Sequence, residues 1–344
     1  MLIAEGGTEH LHAVTVARAR NVFDWYEGNP ANPVMTHRHF GYTAPIANVG
    51  HADMVELPDG SWWAVMLGSR TNSGQYKNIG RETFICPVRW ERDWPVFSPE
   101  SGKIDWSYPA PASLPWTPYP KRPARDDFDG DKLDMQWIFW GRPYQEFWRL
   151  SNGALKLRCL PRAVDRPLKP MSPGSPPRDD CVSVVLRRQQ SYCFEAATKL
   201  SFQPKGAEAA GLLLMQASNN SFRAELMQEN GQTYLRAVEV SSHAELPPFH
   251  PDYKAVTKVT EHAKVAWNGG DVVLVLRVKD QCHDLYFGPD EDHLEPLYLG
   301  MDGRNINDAV RGNMVGTCMG MYATGGGAES DNEAAFDYFC YEDL

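Results

Sequence analysis

The chain has 344 residues, 42% of them hydrophobic and 23% charged, and a formal net charge of −10 at pH 7. This length and composition are typical of a globular protein with one large or two medium cores. The acidic balance argues against nucleic acid and anionic membrane as partners, and no apolar run approaches the ~20 residues that span a bilayer.

The first part of the chain predicts short strands separated by turns. The opening residues Leu2–Ala4 have the character of a half-buried strand, and GHADMVELPDGSWWAVMLGSR predicts two strands joined at Pro58-Asp59-Gly60. The segment RETFICPVRW has the same character. Helix signals are almost absent, so we expect an all-β protein with less than about a tenth of its residues in helices.

A proline-rich segment, YPAPASLPWTPYPKRPARDD, follows at residues 108–127. Because proline is excluded from central strands, this segment is the best candidate for a linker. We therefore expect a first domain over 1–115, a linker over 116–125 and a two-sheet β-sandwich over 126–344. Within the sandwich, DDFDG at 126–130 and FDYFCYEDL at 336–344 are predicted to be adjacent strands.

The sequence offers no strong signal for a cofactor. The seven cysteines are odd in number and scattered, without metal-ligand spacing, so we expect free and mostly buried thiols. The acidic run DDFDGD fails the spacing of an EF-hand, because its twelfth position would be Gln136. A structural calcium ion between loops of the sandwich stays open as an alternative to no cofactor.

Three polar residues stand at the ends of predicted strands, each beside a glycine. They are Glu5 in AEGGTEH, His51 in NVGHAD and Arg81 in NIGRETF. Glycine allows a close approach of backbone or ligand, so the three side chains could converge on one site. From the pattern alone, solvated or structurally paired side chains are the more common explanation.

Three blocks of the first part resemble successive blocks of glycoside hydrolase family 43, the β-xylosidases and α-L-arabinofuranosidases. These blocks are EGGTEHLHAVTVARA, NVGHADMVELPDGSWWAVMLG and IGRETFICPVRWERDWPVFSPESG. Further on, RDDFDGDKLDMQWIFWGRP, MGMYATGGG and AAFDYFCYEDL resemble the β-sandwich domain of the two-domain β-xylosidases. The resemblance implies a partial five-bladed β-propeller followed by a concanavalin A-like β-sandwich.

The resemblance also implies roles for single residues. Family members invert the anomeric centre with an aspartate base, a glutamate acid and a second aspartate that orients the acid and holds it protonated. By position, Glu5 matches the general acid, His51 a histidine near the propeller axis and Arg81 an arginine that binds sugar hydroxyls. Met314 in NMVGTCMG stands where the family places an aromatic residue that helps to close the pocket.

The family's two aspartates have no counterpart in this sequence. They belong to the first two blades, and Asp53 lies in the GHAD strand, where the family places no base. We therefore expect the chain to be the C-terminal portion of a longer glycosidase and to be inactive alone. As written it carries no secretion signal and would be cytoplasmic, unless a missing upstream segment directs export.

The expected substrates are plant cell-wall oligosaccharides, namely xylan and arabinoxylan fragments, hydrolysed at their O-glycosyl bonds. Members of the family often form homo-oligomers, and the sequence leaves a homo-oligomer open for this chain. Two alternatives remain: a non-catalytic carbohydrate-binding remnant, and an unrelated lectin-like interaction protein.

Overall fold

A computed structural model describes residues 1–143, 145–165, 181–243, 256–307 and 315–344. The chain divides into two compact units, Met1–Lys121 and Arg122–Leu344. The predicted linker 116–125 straddles this division. Strands make up most of the regular structure, and the helical residues described are two short 3₁₀ turns at Arg38–Phe40 and Gly303–Ile306. The all-β prediction is therefore confirmed.

The first unit consists of two antiparallel sheets in chain order. The three-stranded sheet contains β1 (Leu2–Glu5), β2 (Ala13–Arg18) and β3 (Glu27–Gly28). The four-stranded sheet contains β4 (Ile46–Glu56), β5 (Trp62–Arg70), β6 (Glu82–Glu91) and β7 (Trp94–Phe97). Neighbouring strands are consecutive in the chain, as in the blades of a β-propeller.

The turn between β4 and β5 has the predicted chemistry. The amide of Leu57 donates to the carbonyl of Ser61, and the amide of Gly60 donates back to the carbonyl of Leu57. Gly60 has a φ of 79°, a conformation that glycine adopts without strain. The Pro-Asp-Gly hairpin is confirmed.

One apolar core is shared by the two sheets of this unit. It is built from apolar side chains of the strands β2, β4, β5, β6 and β7 and of the loop residues Met35 and Ile104. Its buried members are Val14, Val16, Met35, Ile46, Val49, Ala52, Ala64, Met66, Cys86, Val88, Phe97 and Ile104. This packing holds β2, which follows His12, in contact with β4, which carries His51.

The described residues of the second unit form two large antiparallel sheets. The first has β10, β11, β22, β13, β18, β19 and β20 in order, with β8 on β22, and the second has β17, β16, β15, β14, β21, β12 and β9. Their bounds are β8 Arg125–Asp126, β9 Ile138–Phe139, β10 Trp148–Leu150, β11 Leu155–Arg158, β12 Ser183–Arg188, β13 Cys193–Ser201, β14 Ala209–Ala217, β15 Asn220–Glu229, β16 Gln232–His243, β17 Val256–Ala266, β18 Val272–Lys279, β19 Cys282–Gly288, β20 Glu295–Asp302, β21 Cys318–Thr324 and β22 Glu333–Asp343.

The two sheets enclose the largest apolar core of the chain, with Leu155, Phe194, Leu274 and Phe336 among its fully buried members. This arrangement is a β-sandwich. The predicted pairing of its two ends is confirmed, because Asp126 of β8 lies opposite Phe339 of β22. Among the described residues, no helix has the length and apolar character needed to cross a bilayer.

Candidate functional site

The candidate site begins with two irregularities in strand β4. Asn48 and His51 have positive φ angles of 58° and 56°, which residues other than glycine rarely adopt. At the same places the pairing with β5 shifts its register, between Ala47 and Gly50 and again after Gly50. These bulges leave the His51 side chain exposed between buried neighbours.

A buried histidine from the neighbouring sheet packs against these bulges. His12 is 2% exposed, and its Nδ1 donates to the carbonyl of Asn48 at 2.8 Å. Its ring covers Gly50 so closely that a Cβ on Gly50 would lie 2.6 Å from ring atoms. The rings of His12 and His51 meet edge to face, with centroids 6.5 Å apart. Only glycine at position 50 permits this contact.

Arg81 completes this group. Burial lowers the pKa of His12, the hydrogen bond to Asn48 opposes that effect, and the charges of His51 and Arg81 lower it further. The influence of Arg81 on His12 means that the guanidinium lies within electrostatic range of the buried imidazole. The structure therefore places His51 against the buried ring of His12, with Arg81 near enough for its charge to lower the pKa of that ring.

The loops that carry these residues are fixed by ion pairs. Arg70 and Glu82 form a two-pronged pair with N–O distances of 2.8 and 2.9 Å, directly beside Arg81 at the start of β6. Buried Lys77 lies 3.3 Å from Glu9 and ties the loop after β1 to the loop before β6. The candidate site thus has a supporting frame of charged side chains.

Glu5 is placed differently. It ends β1 opposite Ala13, the first residue of β2, which directly follows His12 in the chain. Side chains alternate along a strand, and Leu2 and Val14 occupy the core face, so Glu5 points to the other face of this sheet. Its carboxylate is exposed, and within the described part of the chain it has no hydrogen bond or ion pair.

Met314 lies outside the described residues.

In the acidic run at the start of the second unit, Asp126 forms hydrogen bonds within the fold. One carboxylate oxygen of Asp126 accepts from the amide of Phe128 at 3.0 Å, and the other accepts from Trp137 Nε1 at 2.8 Å. Among the described residues, no cluster of three His, Cys, Asp or Glu side chains could hold a metal ion. The seven cysteines are free, as expected: three are buried, three are half-buried and Cys282 is exposed, so the thiols are less buried than the sequence predicts.

His12 is the residue of this group that the sequence prediction missed. It stands in HLHAVTV, directly before a buried strand, and looks there like a strand-end histidine of the sort usually left in solvent. The signal that could have found it is the glycine of the GHA block. A glycine between apolar residues in a strand indicates that another group approaches the backbone closely.

Comparison with known proteins gives a consistent result. The family model "Beta xylosidase C-terminal Concanavalin A-like domain" matches residues 125–342, and the family model "Glycosyl hydrolases family 43" matches residues 1–95. The chain is 30% identical over 346 residues to a non-reducing end α-L-arabinofuranosidase of Bacteroides ovatus, covering 100% of this chain and 60% of that protein. It is also 30% identical to a xylosidase/arabinosidase of Butyrivibrio fibrisolvens, covering 100% of this chain and 62% of that protein.

A solved structure has the same fold. The family 43 protein BlXynB of Bacillus licheniformis superposes with a TM-score of 0.85 at 28% identity, covering 100% of this chain and 62% of that chain. The chain thus spans about three fifths of the length of the relatives that it matches. From these matches along both units, the chain belongs to glycoside hydrolase family 43, with the concanavalin A-like domain that follows the propeller in its β-xylosidases.

Proposed function

We propose that the chain forms part of an inverting glycosidase that hydrolyses O-glycosyl bonds of xylo-oligosaccharides or arabinosyl side chains. The observation that carries this proposal is the group of His51 and Arg81 around buried His12. The printed names of the relatives, arabinofuranosidase and xylosidase/arabinosidase, support this substrate class.

Arg81 is proposed to bind the sugar and to hold a catalytic carboxylate in its ionised form. A guanidinium carries a planar set of N–H donors, which suits both vicinal hydroxyls and a carboxylate. Its charge stabilises a nearby carboxylate anion, the form that an aspartate base needs in order to activate water. The exposure of Arg81 and its short distance in sequence from the Arg70–Glu82 pair fit this role.

His51 is proposed to contact the substrate at the same place. Its positive φ of 56° turns the exposed imidazole out of the strand. The buried ring of His12 packs edge to face against this imidazole. Strained backbone that its surroundings hold in place is common at functional sites. The ring nitrogens of an imidazole can form hydrogen bonds with a sugar hydroxyl.

Glu5 is proposed as the general acid on the strength of its place in the EGG block. A general acid must be protonated when the leaving group departs, which burial or a neighbouring carboxylate brings about. Glu5 is exposed here and points away from the core face that Leu2 shares with Val14. The role therefore needs a neighbouring group that the described residues do not place beside Glu5.

The chain is proposed to be inactive alone. An inverting mechanism needs a second carboxylate ~6.5–9.5 Å from the acid, with room for water between them. Glu9 is engaged with Lys77, and Asp53 lies on the exposed face of β4 opposite Val65, so neither is a candidate. In the whole protein, the base and the second aspartate would come from other blades.

The test uses an extended protein in which further propeller blades precede residue 1. Hydrolysis of an aryl β-xyloside by this protein, followed by proton NMR, should release α-xylose first, as inversion requires. Arg81→Ala and His51→Ala should each lower kcat/KM by about 10²-fold or more, whereas Arg20→Ala, an exposed arginine outside the site, should not. An extended protein that binds xylo-oligosaccharides without hydrolysing them would favour the non-catalytic alternative.

A further inference from the structure

A pocket of about 300 Å³ opens in the first unit, and its lining includes none of His12, His51 and Arg81. Its floor is apolar and includes the buried side chains of Ala44 and Ile46. Two aromatic rings line it, Phe40 and Trp106, and they are 47% and 66% exposed. Exposed aromatic rings around a concave apolar floor are typical of a small-molecule site.

The pocket is held in shape by a buried histidine. The Nδ1 of His37 donates to the carbonyl of Ile46 at 2.7 Å, and its Nε2 accepts from the amide of Ile104 at 2.9 Å. These bonds join the start of β4 to the segment that carries Trp106. Burial lowers the pKa of His37, which favours the neutral ring that one donated and one accepted bond require. The two walls are thus preorganised, which reduces the entropy lost on binding.

The polar groups of the pocket balance one another in charge. Lys103 Nζ lies 3.8 Å from Asp105 Oδ1, and both side chains remain partly exposed. Thr43 adds an exposed hydroxyl to the lining. The pocket therefore offers donors and acceptors without net charge, which favours a neutral polar ligand over an anion or a cation.

We propose that this pocket binds one sugar ring of a neutral oligosaccharide, at a site separate from the one that contains His51 and Arg81. A pyranose or furanose ring has an apolar C–H face that packs on an aromatic ring, which the exposed ring of Trp106 offers. Phe40, which also lines the pocket, is 47% exposed, and its ring packs against His39 with centroids 3.9 Å apart. The hydroxyls of the sugar would bond to the Lys103–Asp105 pair. The choice of a saccharide as the ligand rests on the proposed function. The pocket volume of about 300 Å³ lies at the lower end of the range for ligand pockets and suits a single sugar ring.

The experiment is titration calorimetry of the 344-residue chain with xylotriose. Trp106→Ala should weaken binding about 10-fold or more, because it removes one of the two aromatic walls. The matched control is Trp116→Ala, since Trp116 is 84% exposed ten residues further along and does not line the pocket. Phe40→Ala and its control Phe23→Ala form a second pair, in case the first variant does not fold.

Arg81→Ala separates this proposal from the proposed function. If the sugar binds in the pocket, Trp106→Ala lowers the affinity, and Arg20→Ala, an exposed residue that does not line the pocket, leaves it unchanged. Loss of binding in Arg81→Ala with full binding in Trp106→Ala would overturn the pocket and leave the proposed function standing. Absence of xylotriose binding, or equal affinities of Trp106→Ala and Trp116→Ala, would also overturn it. Pocket binding together with an inactive extended protein would overturn only the proposed function.

Discussion

The substitution Gly50→Ala tests the contact on which the candidate site is built. An added Cβ would lie 2.6 Å from the Cγ and Cδ2 atoms of the His12 ring, against ~3.5–4.0 Å for an ordinary carbon contact. The ring would have to move by about 1 Å, which breaks the 2.8 Å hydrogen bond from Nδ1 to the Asn48 carbonyl.

The size of the destabilisation by Gly50→Ala follows from the steric clash and the lost hydrogen bond. Overpacking a close contact costs ~1–3 kcal/mol, and the lost hydrogen bond adds about 1 kcal/mol. Alanine in place of glycine also restricts the unfolded chain, which stabilises the folded unit by ~0.4–1 kcal/mol. We therefore expect Gly50→Ala to lower the free energy of unfolding of the first unit by about 2 kcal/mol.

Urea denaturation followed by tryptophan fluorescence measures this change, because 7 of the 11 tryptophans precede residue 122. Gly28→Ala is the control in the same unit, since the nearest atom to its added Cβ is Asn32 Nδ2 at 3.8 Å. In a His12→Ala background the clash is gone, so Gly50→Ala should cost little there. An equal cost in both backgrounds would refute the proposed contact.

Three further predictions concern single residues. In the extended protein, Glu5→Gln should lower kcat by ~10²–10⁴-fold if Glu5 is the acid, and unchanged turnover of an aryl xyloside would assign the acid to another carboxylate. Burial lowers the pKa of His283 to about 4 from its ordinary 6.5, so the unfolded chain binds a proton that the folded chain excludes. The free energy of unfolding of the second unit should therefore fall by up to ~3 kcal/mol as the pH drops from about 6.5 to about 4. The urea midpoint of His283→Gln should not show this fall. Gly211→Ala should prevent folding of the second unit or destabilise it by more than ~3 kcal/mol, because the added Cβ would lie 2.0 Å from the carbonyl oxygen of Ala224. A native circular dichroism spectrum of the purified variant would contradict this prediction.

Local chemistry explains which features the sequence predicts well. The hairpin at Leu57–Ser61 depends on a Pro-Asp-Gly turn, whose conformational preferences lie within the turn itself. The alternation of apolar residues in β5 and β6 likewise needs only neighbouring positions. Such features require no knowledge of the remaining chain.

The candidate site depends on relations that the sequence does not display. His12 becomes buried only because the backbone of Gly50, 38 residues later, passes under its ring. The positive φ angles of Asn48 and His51 occur in residues that rarely adopt them, so no propensity predicts the bulges. The face on which Glu5 lies depends on the register between β1 and β2, since a shift of one residue reverses every side chain.

The most direct test of the account compares the 344-residue chain with the extended protein in an assay of 4-nitrophenyl β-xylopyranoside and α-L-arabinofuranoside hydrolysis. The account predicts turnover by the extended protein, loss of that turnover on Arg81→Ala, and no turnover above the buffer rate by the chain alone. Equal turnover by the chain alone would contradict it, because the base would then lie within this sequence.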